Sequence, residues 1–324
     1  MINVRTDLAM EASEIYKEEN KKEADGVIVE ELEDEGTKIT KVTILDDKAG
    51  ENIGKPKGTY ITLDIPKFTA YDGGLMDDVS KALGRTLKKL IGIKENQLAL
   101  VVGLGNLKVT PDALGPKVTE GIMVTRHLKS VMPDVIDDSV FPIAAIAPGV
   151  LGVTGVETGE IIRGLVEKIH PDVVVCIDAL ASRKIERVNK TIQISDTGIS
   201  PGAGVGNHRM KLNEETLGVK VIAIGVPTVV DAATIANDTI DLVLDDLIKQ
   251  SEEGKDFYNM LKKVDKEEKN LLIREILNPY VGDLVVTPKE IDLEIDSLSK
   301  IIANGINIAL QPNMTMEDIN KFLN

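Results

Sequence analysis

The sequence predicts an α/β fold of three αβα layers, built on a mostly parallel central sheet, with a small N-terminal antiparallel β-decoration. The first observation is a set of apolar runs without alternation, as expected for strands covered on both faces. These runs are LALVVGLGN (98–106), VFPIAAIAP (140–148), DVVVCID (172–178) and VKVIAIGVP (219–227). The second observation is that segments with helical spacing of Leu, Val and Ile separate them, which is typical of a parallel sheet covered by helices.

Composition is the third observation. The chain has 324 residues, of which 43% are hydrophobic and 3% aromatic. It is therefore long enough to bury a large core made mainly of aliphatic side chains. We found no internal repeat and no low-complexity linker, so one domain is expected.

The N-terminal part follows a different pattern. A helical pattern over residues 8–19 precedes three runs in which apolar and polar residues alternate. The runs are GVIVEEL (26–32), TKITKVTIL (37–45) and GTYITLDI (58–65), with Gly and Asp between them. A period of two bounded by turn residues predicts an antiparallel meander over about 24–66.

Helical spacing predicts the remaining elements. The predicted helices cover 75–91, 117–130, 157–169, 229–249, 288–303 and 315–323. The segment from about 250 to 278 is heavily charged, and its charges predict a solvated helical hairpin.

Charge and cysteine content exclude several classes of protein. The formal charge of −15 repels phosphates and argues against direct nucleic-acid binding. A single cysteine suits a reducing compartment. We identify neither a signal peptide nor an apolar run of the roughly 18 residues that span a bilayer. We therefore expect a cytoplasmic protein without a membrane partner.

Two aspartates follow predicted buried strands. Reactive groups in an open parallel sheet collect at the carboxyl ends of strands. Asp178 ends one such strand, where its carboxylate loses hydration and must be paired, hydrogen-bonded or partly protonated. An ion pair with Arg183 or Arg187 is the structural alternative. Asp112 follows another strand, and its alternative is to complement a helix dipole.

Two carboxylates that face one crevice cannot both ionise cheaply, so one tends to keep its proton. Such a pair supplies a base that activates water and an acid that polarises a carbonyl. Binding of a metal ion is its other use. Asp231 is a third acidic residue near a strand end, and capping of the helix that follows explains it.

Other chemistries lack their motifs. Cys176 lies inside an apolar run, where it is expected to be buried and inert. The sequence has no GxSxG elbow, no HExxH and no complete phosphate-binding motif. The Gly-rich segment 195–209 is expected to be a mobile loop beside the crevice.

Several long motifs resemble the germination protease family of spore-forming bacteria. They are VVGLGNLKVTPDALGPK, PGVLGVTGVET, CIDALASRKIERVNKTIQISDTGI, PGAGVGN and VIAIGVPTVVDA, and the resemblance extends over nearly the whole chain. It implies an endopeptidase of the spore core that degrades small acid-soluble spore proteins during germination, and it suggests a homotetramer. The GLGN and DALG turns are more distantly similar to hydrogenase maturation proteases, which share an αβα fold and bind a metal.

The resemblance also implies site residues. The family's two catalytic aspartates lie in the TPDALGP and IDALA motifs, which place them at Asp112 and Asp178. Family members are zymogens that cut themselves, and they cut after an acidic and before a hydrophobic residue. This rule predicts self-processing between Asp7 and Leu8, a propeptide of residues 1–7 and a single protease domain of residues 8–324.

The sequence therefore predicts an aspartate-dependent endopeptidase. No cofactor is predicted, although a divalent metal is compatible with the carboxylates. Possible substrate-binding residues are Arg183, Arg187, Arg209 and Asp231, with the arginines suited to the acidic side chain before the cut bond. Two alternatives remain open at this point, a metal-dependent peptidase and a non-catalytic module that binds nucleotides or proteins.

Overall fold

The described strands form one sheet. The structure is a computed structural model that describes residues 6–65, 68–94, 96–132, 134, 136, 139–202, 209–250, 275, 276 and 284–323. Its strands are β1 (Val27–Asp34), β2 (Thr37–Ile44), β3 (Gly58–Asp64), β4 (Ala99–Gly103), β5 (Ile143–Ile146), β6 (Val173–Ser182), β7 (Thr191–Ser195), β8 (Lys220–Asp231) and β9 (Val285–Val286). They are arranged in the order β1-β2-β3-β7-β8-β6-β4-β5, and β9 pairs with β8.

Helices lie on both faces of this sheet. They are α1 (Ala9–Asn20), α2 (Asp47–Ile53), α3 (Gly73–Ile91), α4 (Leu114–Glu120), α5 (Leu128–Val131), α6 (Leu151–Thr154), α7 (Thr158–Ile169), α8 (Glu214–Leu217), α9 (Ala232–Gln250), α10 (Ile291–Leu310) and α11 (Met316–Leu323). Short 3-10 turns cover Thr110–Asp112 and Ile185–Arg187. Within the described part of the chain, no helix combines the length and apolarity needed to cross a bilayer.

The α/β fold is confirmed, but the prediction of a mostly parallel sheet was wrong. Strands β5, β4, β6 and β8 are parallel to one another, whereas β1, β2, β3 and β7 pair antiparallel. The cause is β7, which the sequence analysis did not predict. It pairs antiparallel with β3 on one side and with β8 on the other, and so joins the N-terminal meander to the parallel half as one mixed sheet.

The core has a layer on each side of the sheet. On one face α3 and α10 cross closely, where a Cβ added to Gly84 would lie 2.7 Å from the side chain of Ile308. On the other face Ile162 of α7 packs with Val174 and Cys176 of β6. Cys176 is fully buried, and burial raises the pKa of its thiol to about 12, as expected for an inert side chain.

Some helices differ from the predicted bounds. The predicted helix 117–130 is instead α4 followed by the short α5, because α4 ends at Gly121. α2 was not predicted, although Asp46 caps its first turn and Gly54 ends it in a left-handed conformation. Most of the charged segment predicted at about 250–278 lies outside the described residues.

Close backbone contacts bring the end of β4 against the end of β6. The Leu104 N–H donates to the Ile177 oxygen at 2.8 Å. A Cβ on Gly115 would lie 2.2 Å from the Leu104 oxygen, so only glycine allows α4 to approach this turn. Gly105 has a φ of +112°, and a Cβ there would lie 2.1 Å from the Asp112 oxygen. These contacts place Asp112 beside the β6 strand.

Candidate active site

A cleft of about 290 Å³ opens at the carboxyl ends of the parallel strands. Three carboxyl groups line it, those of Asp7, Asp112 and Asp178, and Arg209 lies on its wall. The structure therefore brings the two strand-end aspartates together with the predicted processing residue. Because these residues are far apart along the chain, periodicity in the sequence does not indicate that they lie close together.

Asp178 is the most buried of the three acids, with 4% of its surface exposed. Its Oδ1 accepts a hydrogen bond from the Ala179 N–H at 2.9 Å. The pKa of Asp178 is raised well above its usual value, first by burial and then by the charges of Asp112 and Asp7. The Ala179 hydrogen bond and Arg209 oppose this rise. Asp178 therefore tends to hold a proton.

Asp112 lies in the 3-10 turn after β4. Its Oδ2 accepts a hydrogen bond from the Asn106 N–H at 2.8 Å, and the Thr228 hydroxyl donates to the Pro111 oxygen at 2.7 Å. These bonds fix the turn against β8. Burial raises the pKa of Asp112, while the Asn106 hydrogen bond and the charge of Arg209 oppose the rise. This less buried carboxyl ionises more readily than Asp178.

Asp7 lies beside the end of β6. Its neighbour there is Ala181, three residues after Asp178 in the strand. The Asp7 N–H donates to the Ala181 oxygen at 3.0 Å, and Asp7 Oδ2 accepts from the Ala181 N–H at 2.9 Å. Burial raises the pKa of Asp7, and the charge of Lys55 and the Ala181 hydrogen bond oppose the rise. Leu8, which follows, is fully buried. The peptide bond between these two residues is thus held beside the cleft.

Gln193 and Lys55 complete this arrangement, and the sequence analysis missed both. Gln193 of β7 donates from Nε2 to the Asp7 oxygen at 3.1 Å and accepts from the Ala9 N–H at 2.7 Å. Lys55 Nζ donates to the Thr6 oxygen at 3.0 Å. The Thr-Asp-Leu-Ala pattern gave a signal for the bound segment, but no signal in the sequence indicated the residues that bind it.

The predicted substrate-binding arginines are distributed differently from expectation. Arg209 lies in the cleft, and its charge lowers the pKa values of Asp112 and Asp178. Arg183 forms a two-pronged ion pair with Asp238. Arg183 does not line the cleft as the structure describes it.

Arg187 binds the N-terminal helix instead of the cleft. It contacts Glu14 at 3.0 Å and Asp64 at 3.2 Å. Glu11, which is fully buried, accepts hydrogen bonds from the Arg183 and Lys184 N–H groups at 2.7 and 3.0 Å. The suggested ion pairing of Asp178 with Arg183 or Arg187 is thus not what the structure shows. These contacts fasten α1 to the segment after β6.

Asp231 lies at the start of α9. Its Oδ1 accepts hydrogen bonds from the N–H groups of Ala233 and Thr234, at 2.8 and 3.2 Å. This is the capping geometry that the sequence suggested as the explanation for Asp231. Asp231 is outside the set of described residues that line the cleft.

Among the described residues, no set of three or more His, Cys, Asp and Glu side chains is arranged to hold a metal ion. The carboxyl groups of Asp112 and Asp178 are the donors that would face a divalent ion in the cleft.

Asp178→Asn is expected to raise the free energy of unfolding at about pH 8 by about 1 kcal/mol or more, because it removes a charge that burial disfavours. The pKa of Asp178 is higher in the folded than in the unfolded chain. The folded chain therefore binds more protons between these two values, and its stability falls as pH rises through that window. The gain should shrink toward about pH 3, below the pKa of about 3.9 of an unfolded Asp, where both states bind the proton.

Urea unfolding at the two pH values measures this effect. Asp172→Asn is the matched control, because Asp172 lies just before β6, at its other end, and is exposed. An equal gain at both pH values would show that the charge of Asp178 is not the cause.

Fold and cleft together define an α/β protein whose carboxyl groups converge at the ends of parallel strands. Carboxyl groups that share one cleft can supply a general acid and a general base, which is chemistry that enzymes use to hydrolyse their substrates. Comparison with known proteins identifies the family. The family model described as germination protease matches residues 3–262 and 245–323, so the chain belongs to the germination protease family, peptidases active in spore germination.

Individual relatives match this chain over 96% or more of their own length. A germination protease of Clostridium perfringens is 67% identical over 325 residues, and one of Clostridium tetani is 58% identical over 323 residues. Both alignments cover 100% of each chain. A germination protease of Bacillus cereus is 44% identical over 352 residues, covering 98% of this chain and 96% of its own.

Proposed function

We propose that this protein is a cytoplasmic endopeptidase of the spore core that starts the degradation of small acid-soluble spore proteins during germination. It cuts after an acidic and before a hydrophobic residue, with Asp112 and Asp178 acting on a water molecule. The observation that carries the proposal is the cleft itself, where these two acids lie with Asp7. The resemblance of the motifs supplies the substrate class.

The two acids take different parts in the reaction. Asp112, the more readily ionised, removes a proton from water as the oxygen attacks the carbonyl carbon. Protonated Asp178 gives its proton to the carbonyl oxygen, which forms a tetrahedral diol. Asp112 then protonates the leaving nitrogen, Asp178 recovers its proton from the diol, and the C–N bond breaks. At the end of the reaction Asp112 is again ionised and Asp178 again protonated. The two carboxyl groups titrate as a unit.

The N-terminal segment supports a zymogen form. Asp7 occupies the same cleft as the acid pair, and Leu8 follows it as the hydrophobic residue. A segment bound there excludes a protein substrate from the cleft. Removal of residues 1–7 by cutting after Asp7 would clear this part of the cleft and convert the zymogen into active enzyme.

Self-processing is expected to give a new N-terminus at Leu8. The purified full-length chain is incubated at several values from about pH 5 to about pH 8, because the proposed acid pair must hold one proton, and its N-terminus is sequenced. Asp178→Asn is the control that removes the proposed acid. An N-terminus that stays at Met1 at every pH, or a new start elsewhere, would contradict the processing bond.

The proposal includes a homotetramer. Its support in the described chain is the edge strand β1, where Ile28, Val29 and Leu32 expose large apolar side chains. Exposed apolar side chains on an unpaired edge are of the kind that a subunit contact covers.

A further inference from the structure

A second cavity of about 210 Å³ adjoins the cleft and shares Asp7, Leu180 and Ser200 with it. Its wall is formed by the connection between α2 and β3 and by β7. Lys55, Gln193 and Ser195 are among its polar lining residues. A chain that lies in the cleft with its acidic residue at the position of Asp7 therefore reaches this cavity.

Lys55 is held in a fixed position within this cavity. Its N–H donates to the Gly50 oxygen at 3.0 Å, and a Cβ on Gly50 would lie 2.5 Å from the Lys55 oxygen. The side chain is partly buried, and its Nζ donates to the Thr6 oxygen at 3.0 Å. Burial lowers the pKa of Lys55, and the charges of Asp7 and Glu11 counteract this effect. A cation in such a place is costly unless a negative charge accompanies it.

Two other basic side chains line the cavities: Arg209 in the cleft, whose charge opposes the raised pKa values of Asp112 and Asp178, and Lys211 in the second cavity. Arg183 binds Asp238, and Arg187 binds Glu14 and Asp64. Lys55 is the cation whose charge opposes the raised pKa of Asp7. Its ammonium group is therefore held on the residue before Asp7, in the same cavity that the carboxyl group preceding the predicted cut bond lines.

We propose that Lys55 is the specificity-determining residue that binds the acidic side chain preceding the cut bond. This inference deepens the proposed function and rests on it. In the intact chain the acidic residue is Asp7, and in a protein substrate it is the Asp or Glu at the same position. When residues 1–7 leave, Lys55 loses the Thr6 oxygen and the Asp7 charge and keeps the charge of Glu11, so the open cavity presents a less compensated cation to the next acidic residue.

The test compares two variants on two peptides that differ by one charge. Lys55→Met removes the cation and keeps the stem, and Lys57→Met is the control at an exposed lysine two residues away, which contacts Asp47 at 3.6 Å. The peptides contain Thr-Glu-Phe-Ala or Thr-Gln-Phe-Ala. We expect Lys55→Met to lower kcat/KM on the glutamate peptide by about 10- to 100-fold, as for a hydrogen bond to a charged group.

Activity of Lys55→Met on the glutamine peptide should stay within about threefold of the unsubstituted protein, because that side chain carries no charge. Equal losses on both peptides would assign Lys55 a structural role and overturn the inference, as would an unchanged preference for glutamate. Lys55→Arg keeps the charge and should keep the preference, so it decides the question if Lys55→Met does not fold. A loss of preference in folded Lys55→Arg would also overturn the inference.

Failure of the inference differs from failure of the proposed function. If the unsubstituted protein, processed or intact, cuts neither peptide, the proposed function fails. If that protein cuts the glutamate peptide and Lys55→Met retains the full preference, only the assignment of Lys55 fails.

Discussion

Asp112→Asn and Asp178→Asn should each lower kcat on a Thr-Glu-Phe-Ala peptide by about 10³-fold or more, because each removes one half of the proton transfer. Asn at position 112 cannot take a proton from water. Asn at position 178 can donate a hydrogen bond but cannot give up and recover a proton. The acids share a cleft, and the charge of Asp112 raises the pKa of Asp178, so the two losses are not expected to add.

Asp172→Asn is the matched control for both substitutions. Asp172 lies just before β6, at the end of the sheet opposite to the cleft, where its Oδ2 accepts a hydrogen bond from the Leu98 N–H at 2.8 Å. Its activity should be unchanged. Full activity in folded Asp112→Asn or Asp178→Asn would remove that residue from the proposed mechanism.

Chelation distinguishes the two uses of the carboxyl pair. Activity that EDTA abolishes and a divalent ion restores would replace the acid–base scheme by metal-assisted hydrolysis on the same residues. The acid–base scheme expects activity to survive EDTA and to follow a bell-shaped pH profile. Its basic limb reports loss of the proton held by the pair, and its acidic limb reports protonation of the ionised partner.

Gln193→Met should lower kcat by about 100-fold, because it removes a donor to the carbonyl oxygen on which negative charge develops. In the intact chain Gln193 Nε2 contacts the Asp7 oxygen at 3.1 Å, which is the carbonyl of the predicted cut bond. Its Oε1 accepts from the Ala9 N–H at 2.7 Å, so the amide contacts the backbone on both sides of Leu8, the residue after that bond. The loss should appear in kcat more than in KM, since the oxygen becomes negative only as the water attacks.

A second substitution at Gln193 distinguishes the role of the amide nitrogen from that of the amide oxygen. Gln193→Glu keeps the acceptor for the Ala9 N–H and removes the donor to the Asp7 oxygen, so it should lose kcat as Gln193→Met does. Gln97→Met is the control, because Gln97 lies before β4, at the opposite end of the strand from the cleft. An unchanged kcat in folded Gln193→Met would exclude Gln193 from the reaction.

The local sequence predicted most elements of the fold. The apolar run of β6 and the helical spacing of α3 and α7 identify these elements without reference to the rest of the chain. It also singled out Asp112 and Asp178, because a carboxylate at the end of a buried strand is unusual enough to require a reason. The motif resemblance then gave the family, which the comparisons confirm.

Only the tertiary structure decided how the strands pair and what surrounds the acids. β7 is a five-residue buried strand whose antiparallel pairing with β3 and β8 makes the sheet mixed, and no local period specifies a partner. Lys55 and Gln193 meet Thr6 and Asp7 through contacts between segments 49 and 186 residues apart. Local periodicity reports which face of an element is buried, whereas the position of a charge or amide beside a distant peptide bond depends on the packing of the whole chain.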